Sequence, residues 1–418
     1  MSNLTRRTFL KGAAALGAAA AVGGFPAILK QAQGARPVKW GSIQPTTGPY
    51  ATEALDQKLG VELAIADTNA RGGVMGREVE LHFRDDQFKW DQVTSHALDL
   101  LDNVRIDFLG GSMLAPEQIR LNAISRKRKI IYANYPQDIM STPESAKKMS
   151  PYFFTCNVTP YQNAASVARL AHQLKMGKKW HFLGDDYTWP KMFLPAFIAL
   201  AKETGSIFDP DRDTSWVPFP ASVDYSANFP KILKLGPDVL FVSVWGSRQV
   251  AFIKQALEAR LHEKLQIVIN VTEVSIAEAA GPGLFTDIYA GATWYWKVKD
   301  KYPGAKDFYD KFWAVRKRPP SAYASSAYEV VRLVLDTADE IKSLDTVKVA
   351  KALEGRKFQY VKGPSWIRPC DHVDISEFFV LKGNKLEAMQ KDKWDVFNIV
   401  DVTSGEGNAL SCAAKGLT

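Results

Sequence analysis

Val239-Leu240-Phe241-Val242-Ser243-Val244 is a near-continuous apolar run with one polar member. A strand with one wet face alternates apolar and polar residues, so a run that does not alternate reads as a parallel strand covered on both sides by helices. The flanking sequence supplies those helices. Arg248 to Arg260 carries a helical pattern, and Gln266 to Ile269 reads as the next strand. Upstream, a strand at about Trp180 to Leu183 lies between helices over about Tyr161 to Met176 and Lys191 to Thr204. Strand and helix alternate throughout, which is the pattern of a doubly wound α/β lobe.

The same pattern runs before Pro151. Val38 to Ile43 reads as a strand, and Pro45-Thr46-Thr47-Gly48-Pro49 as a turn-rich loop. Leu59, Leu63, Ala66 and Ala70 recur at helical spacing, and Asn69-Ala70-Arg71-Gly72-Gly73 ends that helix. Glu78 to Phe83 alternates, with Val79, Leu81 and Phe83 on one face. Val93, Ala97, Leu100 and Val104 give another helix, Phe108 to Gly110 a strand, Pro116 a first helical position, and Ile130 to Tyr132 a further strand. After about Trp294 come long helices, Lys306 to Arg316 and Ala324 to Lys342, ahead of a polar tail. Two such series predict an α/β protein of two doubly wound parallel-sheet lobes. Ligands of these sheets sit at the C-terminal strand ends, so the loops starting at Gln44, Gly111, Ala133, Gly184, Trp245 and Asn270 should converge on a cleft.

Thr5-Arg6-Arg7-Thr8-Phe9-Leu10-Lys11, followed by an Ala/Gly-rich run from Gly12 to Leu29, has the layout of a twin-arginine export signal. A membrane span would want about 20 strongly apolar residues, and this run contains Pro26. Residues 1–34 are expected to be removed after Ala32-Gln33-Gly34, leaving a periplasmic protein. The loss of Arg6, Arg7, Lys11 and Lys30 lowers the basic count from 53 to 49 against 45 acids, a net charge of +4 rather than +8. That balance argues against a nucleic-acid partner. Cys156, Cys370 and Cys412 are too scattered for a metal or iron–sulfur site. An exported chain keeps disulfides, and a Cys370–Cys412 bond would pin the tail; the alternative is three separate buried thiols.

No cofactor is expected. The six histidines fall singly, His262-Glu263 lacks the second His of a zinc helix, and no nucleophile elbow, phosphate loop or dinucleotide fingerprint occurs. Asp85-Asp86 and Asp185-Asp186 read as capping and packing groups before ligand groups. Arg126-Lys127-Arg128-Lys129 and Arg316-Lys317-Arg318 read as solvated helix ends, with docking to a partner as the sharper alternative. Trp294-Tyr295-Trp296 reads as core or hinge packing, with Trp294 and Trp296 on one face if the segment is extended.

Thr47-Gly48, then Asn69-Ala70-Arg71-Gly72-Gly73-Val74-Met75-Gly76-Arg77, then Arg84-Asp85-Asp86 resembles the periplasmic solute-binding proteins of ABC importers, in the branch that binds leucine, isoleucine and valine. Asp185-Asp186-Tyr187, Tyr328-Glu329 and Cys370-Asp371-His372 continue the resemblance in order along the chain. It implies a type I periplasmic binding fold with lobes at 37–154 plus 293–363 and 155–292 plus 364–418. It also implies a monomeric, non-enzymatic receptor that closes on a small solute and delivers it to a membrane permease. An exported cofactor-bearing oxidoreductase is the alternative from another class, and a periplasmic ligand sensor the alternative on the same fold.

The resemblance places ligand loops at Thr47 to Glu53, including Tyr50, at Met113-Leu114, and at Tyr135 to Gln137. In the second lobe it places them at Tyr187, Trp245 and Thr272-Glu273. Relatives that bind amino acids hold the α-carboxylate with Ser or Thr hydroxyls and backbone amides of the first lobe, and the ammonium with an acid of the second. Here Leu114 and Gln137 stand at the hydroxyl positions, and Glu273 or Thr272 near the acid. An apolar Leu114 cannot anchor a carboxylate. The expected cleft is instead rich in rings (Tyr50, Tyr135, Tyr187, Trp189, Trp245), which suit a flat ligand or a cation. Gln137 suits an amide or carboxyl group, and Glu53 and Glu273 an amine. These residues point to an amino acid or its derivative, an amide or an aromatic acid.

Overall fold

The computed structural model describes residues 36–140 and 145–417; the signal segment and its expected cleavage point lie outside them. Val239–Ser243 is a strand with all five residues buried, as its unbroken apolar run requires. It belongs to the sheet of the second lobe. Numbered along the chain, the first lobe contains β1 (Val38–Gln44), β2 (Val79–Asp85), β3 (Phe108–Gly111), β4 (Tyr132–Asn134) and β5 (Phe153–Thr155). They form an all-parallel sheet in the order β2-β1-β3-β4-β5. The second lobe contains β6 (Trp180–Asp186), β7 (Thr214–Pro218), β8 (Val239–Ser243), β9 (Gln266–Ile269) and β10 (Tyr289–Ala292). A small sheet is made of β11 (Lys357–Phe358), β12 (Ser365–Ile367) and β13 (Asp374–Ile375). Finally β14 (Phe378–Gly383) pairs antiparallel with β10, and β15 (Phe397–Thr403) antiparallel with β14, extending the second lobe's sheet. Its order is β15-β14-β10-β9-β8-β6-β7. The parallel part thus repeats the first lobe's winding, and each sheet has its topological switch point beside its first strand.

Helix and strand types follow the sequence reading, but some details differ. The helix Ala51–Ala70 buries Val61, Ala64, Ile65 and Thr68, whereas Ala66 and Ala70 are exposed. Its inner face is set by the helix Ala322–Glu340, which crosses so closely at Gly60 that a Cβ there would lie 2.2 Å from the Ala324 carbonyl oxygen. The fourth strand begins at Tyr132 rather than Ile130. Trp294, Tyr295 and Trp296 follow β10 and are all buried, not paired on one face of a strand. Trp294 Nε1 donates to the Val361 carbonyl at 2.7 Å. Arg318, read as part of a solvated run, is instead partly buried and paired with the fully buried Asp56 at 2.6 Å.

Where the chain passes between lobes, Lys362 Nζ is fully enclosed. It donates to Asp374 Oδ2 at 2.8 Å and to the Cys156 carbonyl at 3.1 Å, and lies 3.4 Å from Glu329. Burial holds the Glu329 carboxyl up at about 7. Cys370 and Cys412 form a disulfide with a Cα–Cα distance of 6.3 Å, and Cys156 is a buried free thiol. Among the described residues no helix is long and apolar enough to cross a membrane.

Candidate ligand cleft

The C-terminal ends of both sheets face one cleft of about 640 Å³, part of it open to solvent. The loop after β3 brings Met113 and Leu114, and the loop after β4 brings Gln137. From the second lobe come Tyr187 and Trp189 after β6, Trp245 after β8 and Glu273 after β9. The first turn of the helix Ala322–Glu340 adds Tyr323.

Six of the ten residues singled out in the sequence line this space: Met113, Leu114, Gln137, Tyr187, Trp245 and Glu273. Four do not. Tyr135 is buried beneath the first sheet, where its hydroxyl accepts from Trp40 Nε1 at 3.0 Å and meets Ser42 Oγ at 3.1 Å. Gly110 makes the room, since a Cβ there would lie 2.1 Å from that hydroxyl. Thr272 is buried and spends its hydroxyl on Gln249 Oε1 at 2.7 Å. Tyr50 packs on Phe88, ring centroids 5.5 Å apart, and burial followed by the charge of Asp185 raises its hydroxyl. Glu53 is buried behind the cleft, and burial pushes its carboxyl up, with the nearby Asp56 adding to the shift.

The two lobes touch directly. Trp189 Nε1 donates to Gln137 Oε1 at 2.9 Å, so a side chain from each lobe is joined across the cleft. Trp189 stands edge-on to Trp245 at 6.2 Å, and Trp245 edge-on to Tyr323 at 5.6 Å. Behind Tyr187, Phe219 stacks at 4.5 Å, and Arg248 lies over Phe219 while holding Asp185 through two bonds of 2.6 and 2.7 Å. Asp185 is thus tied to the second lobe rather than aimed at a ligand. Gln137 Nε2 and Trp245 Nε1 are buried donors without partners.

Glu273 precedes the helix Val274–Ala280 and accepts the Ala322 amide through Oε2 at 3.0 Å. Burial pushes its carboxyl up to about 8, and the charges of Asp56 and Glu53 add to that. Tyr323 was not singled out in the sequence. The only signal for it is Pro319-Pro320-Ser321, a helix start in which the Ser321 hydroxyl accepts from the Ala324 amide at 3.3 Å.

Comparison with known proteins decides the lineage. A family profile described as periplasmic binding protein matches residues 37–388, and one described as a twin-arginine translocation pathway signal sequence matches residues 3–23. The chain belongs to the periplasmic binding protein family. It is a solute receptor exported to the periplasm by the twin-arginine pathway. Among the relatives of this periplasmic binding protein is Leu/Ile/Val-binding protein homolog 3 of Brucella melitensis, 25% identical over 326 residues, covering 76% of this chain and 83% of the relative. The amino acid ABC transporter substrate-binding protein of Pseudomonas fluorescens Pf-5 superposes with a TM-score of 0.83 at 19% identity, over 92% of this chain and 99% of that one. A solute-binding protein of an ABC transporter from Rhodopseudomonas palustris BisB5, solved with 3,4-dihydroxybenzoic acid, gives a TM-score of 0.76 at 18% identity, over 88% and 98%. At these identities the two structures establish the shared fold.

Proposed function

We propose that this receptor closes on a small polar organic solute, of the class of amino acids, their derivatives, amides and aromatic acids, and delivers it to the permease of an ABC importer. It acts as a monomer and carries out no reaction. The observation that carries this reading is the Gln137–Trp189 hydrogen bond, which joins the lobes over a cleft lined from both sides. Contacts made by both lobes favour the closed state, and a few kcal/mol of differential affinity suffices to shift such an equilibrium. Leu114, Gln137, Tyr187, Trp189, Trp245, Glu273 and Tyr323 contact the solute. A Leu/Ile/Val-binding homologue and a neighbour holding a dihydroxybenzoate support an organic solute of this size. Native mass spectrometry of the protein purified from its own periplasm tests the reading. One small solute per chain is the expected result, and a covalent or redox cofactor would overturn it in favour of an exported enzyme.

A further inference from the structure

The cleft has an unusual balance of charge for a site that would grip an acid. Among the described residues lining it, none is Lys, Arg or His, and Glu273 is the only carboxylic acid. Two first-lobe amides at the edge of the cleft are already taken. Glu117 Oε2 accepts the Met113 amide at 2.5 Å and the Leu114 amide at 3.2 Å, from a side chain with no exposed surface. The chain's own Glu117 carboxyl therefore occupies the two amides just before the helix Ala115–Arg128. Pro116 and Pro136 flank this wall and have no amide hydrogen to offer. Gln118 Nε2 is spent on Asn134 Oδ1 at 2.7 Å and on the Gln137 carbonyl at 2.9 Å.

A carboxylate entering this space would meet no counter-charge among the described residues that line it. A desolvated, unpaired carboxylate costs far more than neutral donors return. A cation meets the opposite conditions. The one hydrogen bond of Glu273 uses Oε2 and leaves Oε1 free. Trp189, Trp245 and Tyr323 present a group of rings set edge to face, the arrangement that holds ammonium groups through the ring faces. Gln137 Nε2 and Trp245 Nε1, both unpartnered, can each donate to a neutral acceptor.

We propose that the cleft takes an organic cation without a carboxylate: an amine carried on a flat, largely apolar body, with its nitrogen on Glu273 and its far end on Gln137 and Trp245. This rests on the receptor reading above and, of the classes named there, keeps only derivatives that carry an amine and have lost the carboxylate, setting aside intact α-amino acids, amides and aromatic acids.

The test is titration calorimetry of the mature protein with matched probes, phenethylamine against phenylalanine and benzylamine against benzoate. Each amine is expected to bind at least tenfold more tightly than its acidic partner. Glu273→Gln should weaken the amines at least tenfold while leaving the melting temperature of the ligand-free protein close to wild type. Acids that bind as tightly as the amines, amines that fail to bind, or a Glu273→Gln protein that keeps amine affinity would each overturn the assignment. The solute recovered from the native protein separates the two levels: a carboxylate there refutes the cation and leaves the receptor standing.

Discussion

Trp189→Phe isolates a hydrogen bond between two side chains that spans the cleft. The substitution keeps a ring between Phe193, 5.0 Å away, and Trp245, 6.2 Å away, so the packing loss is small. What disappears is the N–H aimed at Gln137 Oε1 at 2.9 Å. In the open form that oxygen returns to water, so the cost falls on the closed form alone. A net hydrogen bond contributes about 1 kcal/mol, and a buried acceptor left unsatisfied costs about 1–3 kcal/mol. Closure is therefore weakened by about 1–3 kcal/mol. Because ligand is held by the closed form, apparent affinity falls by about 5- to 150-fold. Calorimetry with the native solute measures this, and small-angle scattering reports the shift toward open lobes. An affinity within twofold of wild type, with scattering unchanged, would refute the claim that this bond helps hold the lobes together.

Three further outcomes are expected. Cys412→Ser opens a loop of 42 residues and should lower unfolding stability in urea by about 2–4 kcal/mol on chain-entropy grounds; a change under 0.5 kcal/mol would show that the tail is held by other contacts. Gly60→Val drives a Cβ against the Ala324 carbonyl oxygen and should cost about 3 kcal/mol, read as a fall in melting temperature. His181 is buried, and burial pushes its imidazole down to about 4 from an ordinary 6.5. Between those values the unfolded chain binds the extra proton, so stability present above pH 6.5 is lost as pH falls toward 4, by up to about 3 kcal/mol. His181→Asn should flatten this slope, and an unchanged slope would assign it to other groups.

The lobes were legible because their signals are local. The run at Val239 and the helical stripe at Val93 and Ala97 sit within single elements, and their burial follows the pattern. The site was half legible because direction is not a local property. Tyr135 and Gln137 stand in one loop, yet Tyr135 is drawn under the sheet by Trp40 and Ser42 of another strand, across a gap that Gly110 leaves. Thr272 and Glu273 are neighbours that point to different partners, Gln249 and the Ala322 amide. The inner face of the helix Ala51–Ala70 was misread for the same reason. It buries Glu53, Asp56 and Gln57 against segments from far along the chain, and no periodicity marks a carboxylate as a core residue. Arg318 reads as solvated within a basic run, and only its distant partner, the buried Asp56, draws it partly out of solvent.

The charges behind the cleft tie the fold to closure. Glu53 and Asp56 ride on a first-lobe helix, Glu273 stands on a second-lobe loop, and Arg318 approaches from the segment that leads into the helix Ala322–Glu340. Burial raises all three carboxyls, and Asp56 lifts both Glu53 and Glu273 while Arg318 lowers them. Arg318 is committed to Asp56 at 2.6 Å, so its charge is already shared when the lobes bring Glu53 and Glu273 together. Closing over an empty cleft must then either repel two acids or keep a proton on one of them. A cationic group beside Glu273 removes that cost only when the lobes are closed around it, which is the differential interaction that a ligand needs in order to shift a two-state equilibrium. The same acids that cannot be recognised as core in the sequence thereby make occupancy, rather than packing alone, the condition for closure.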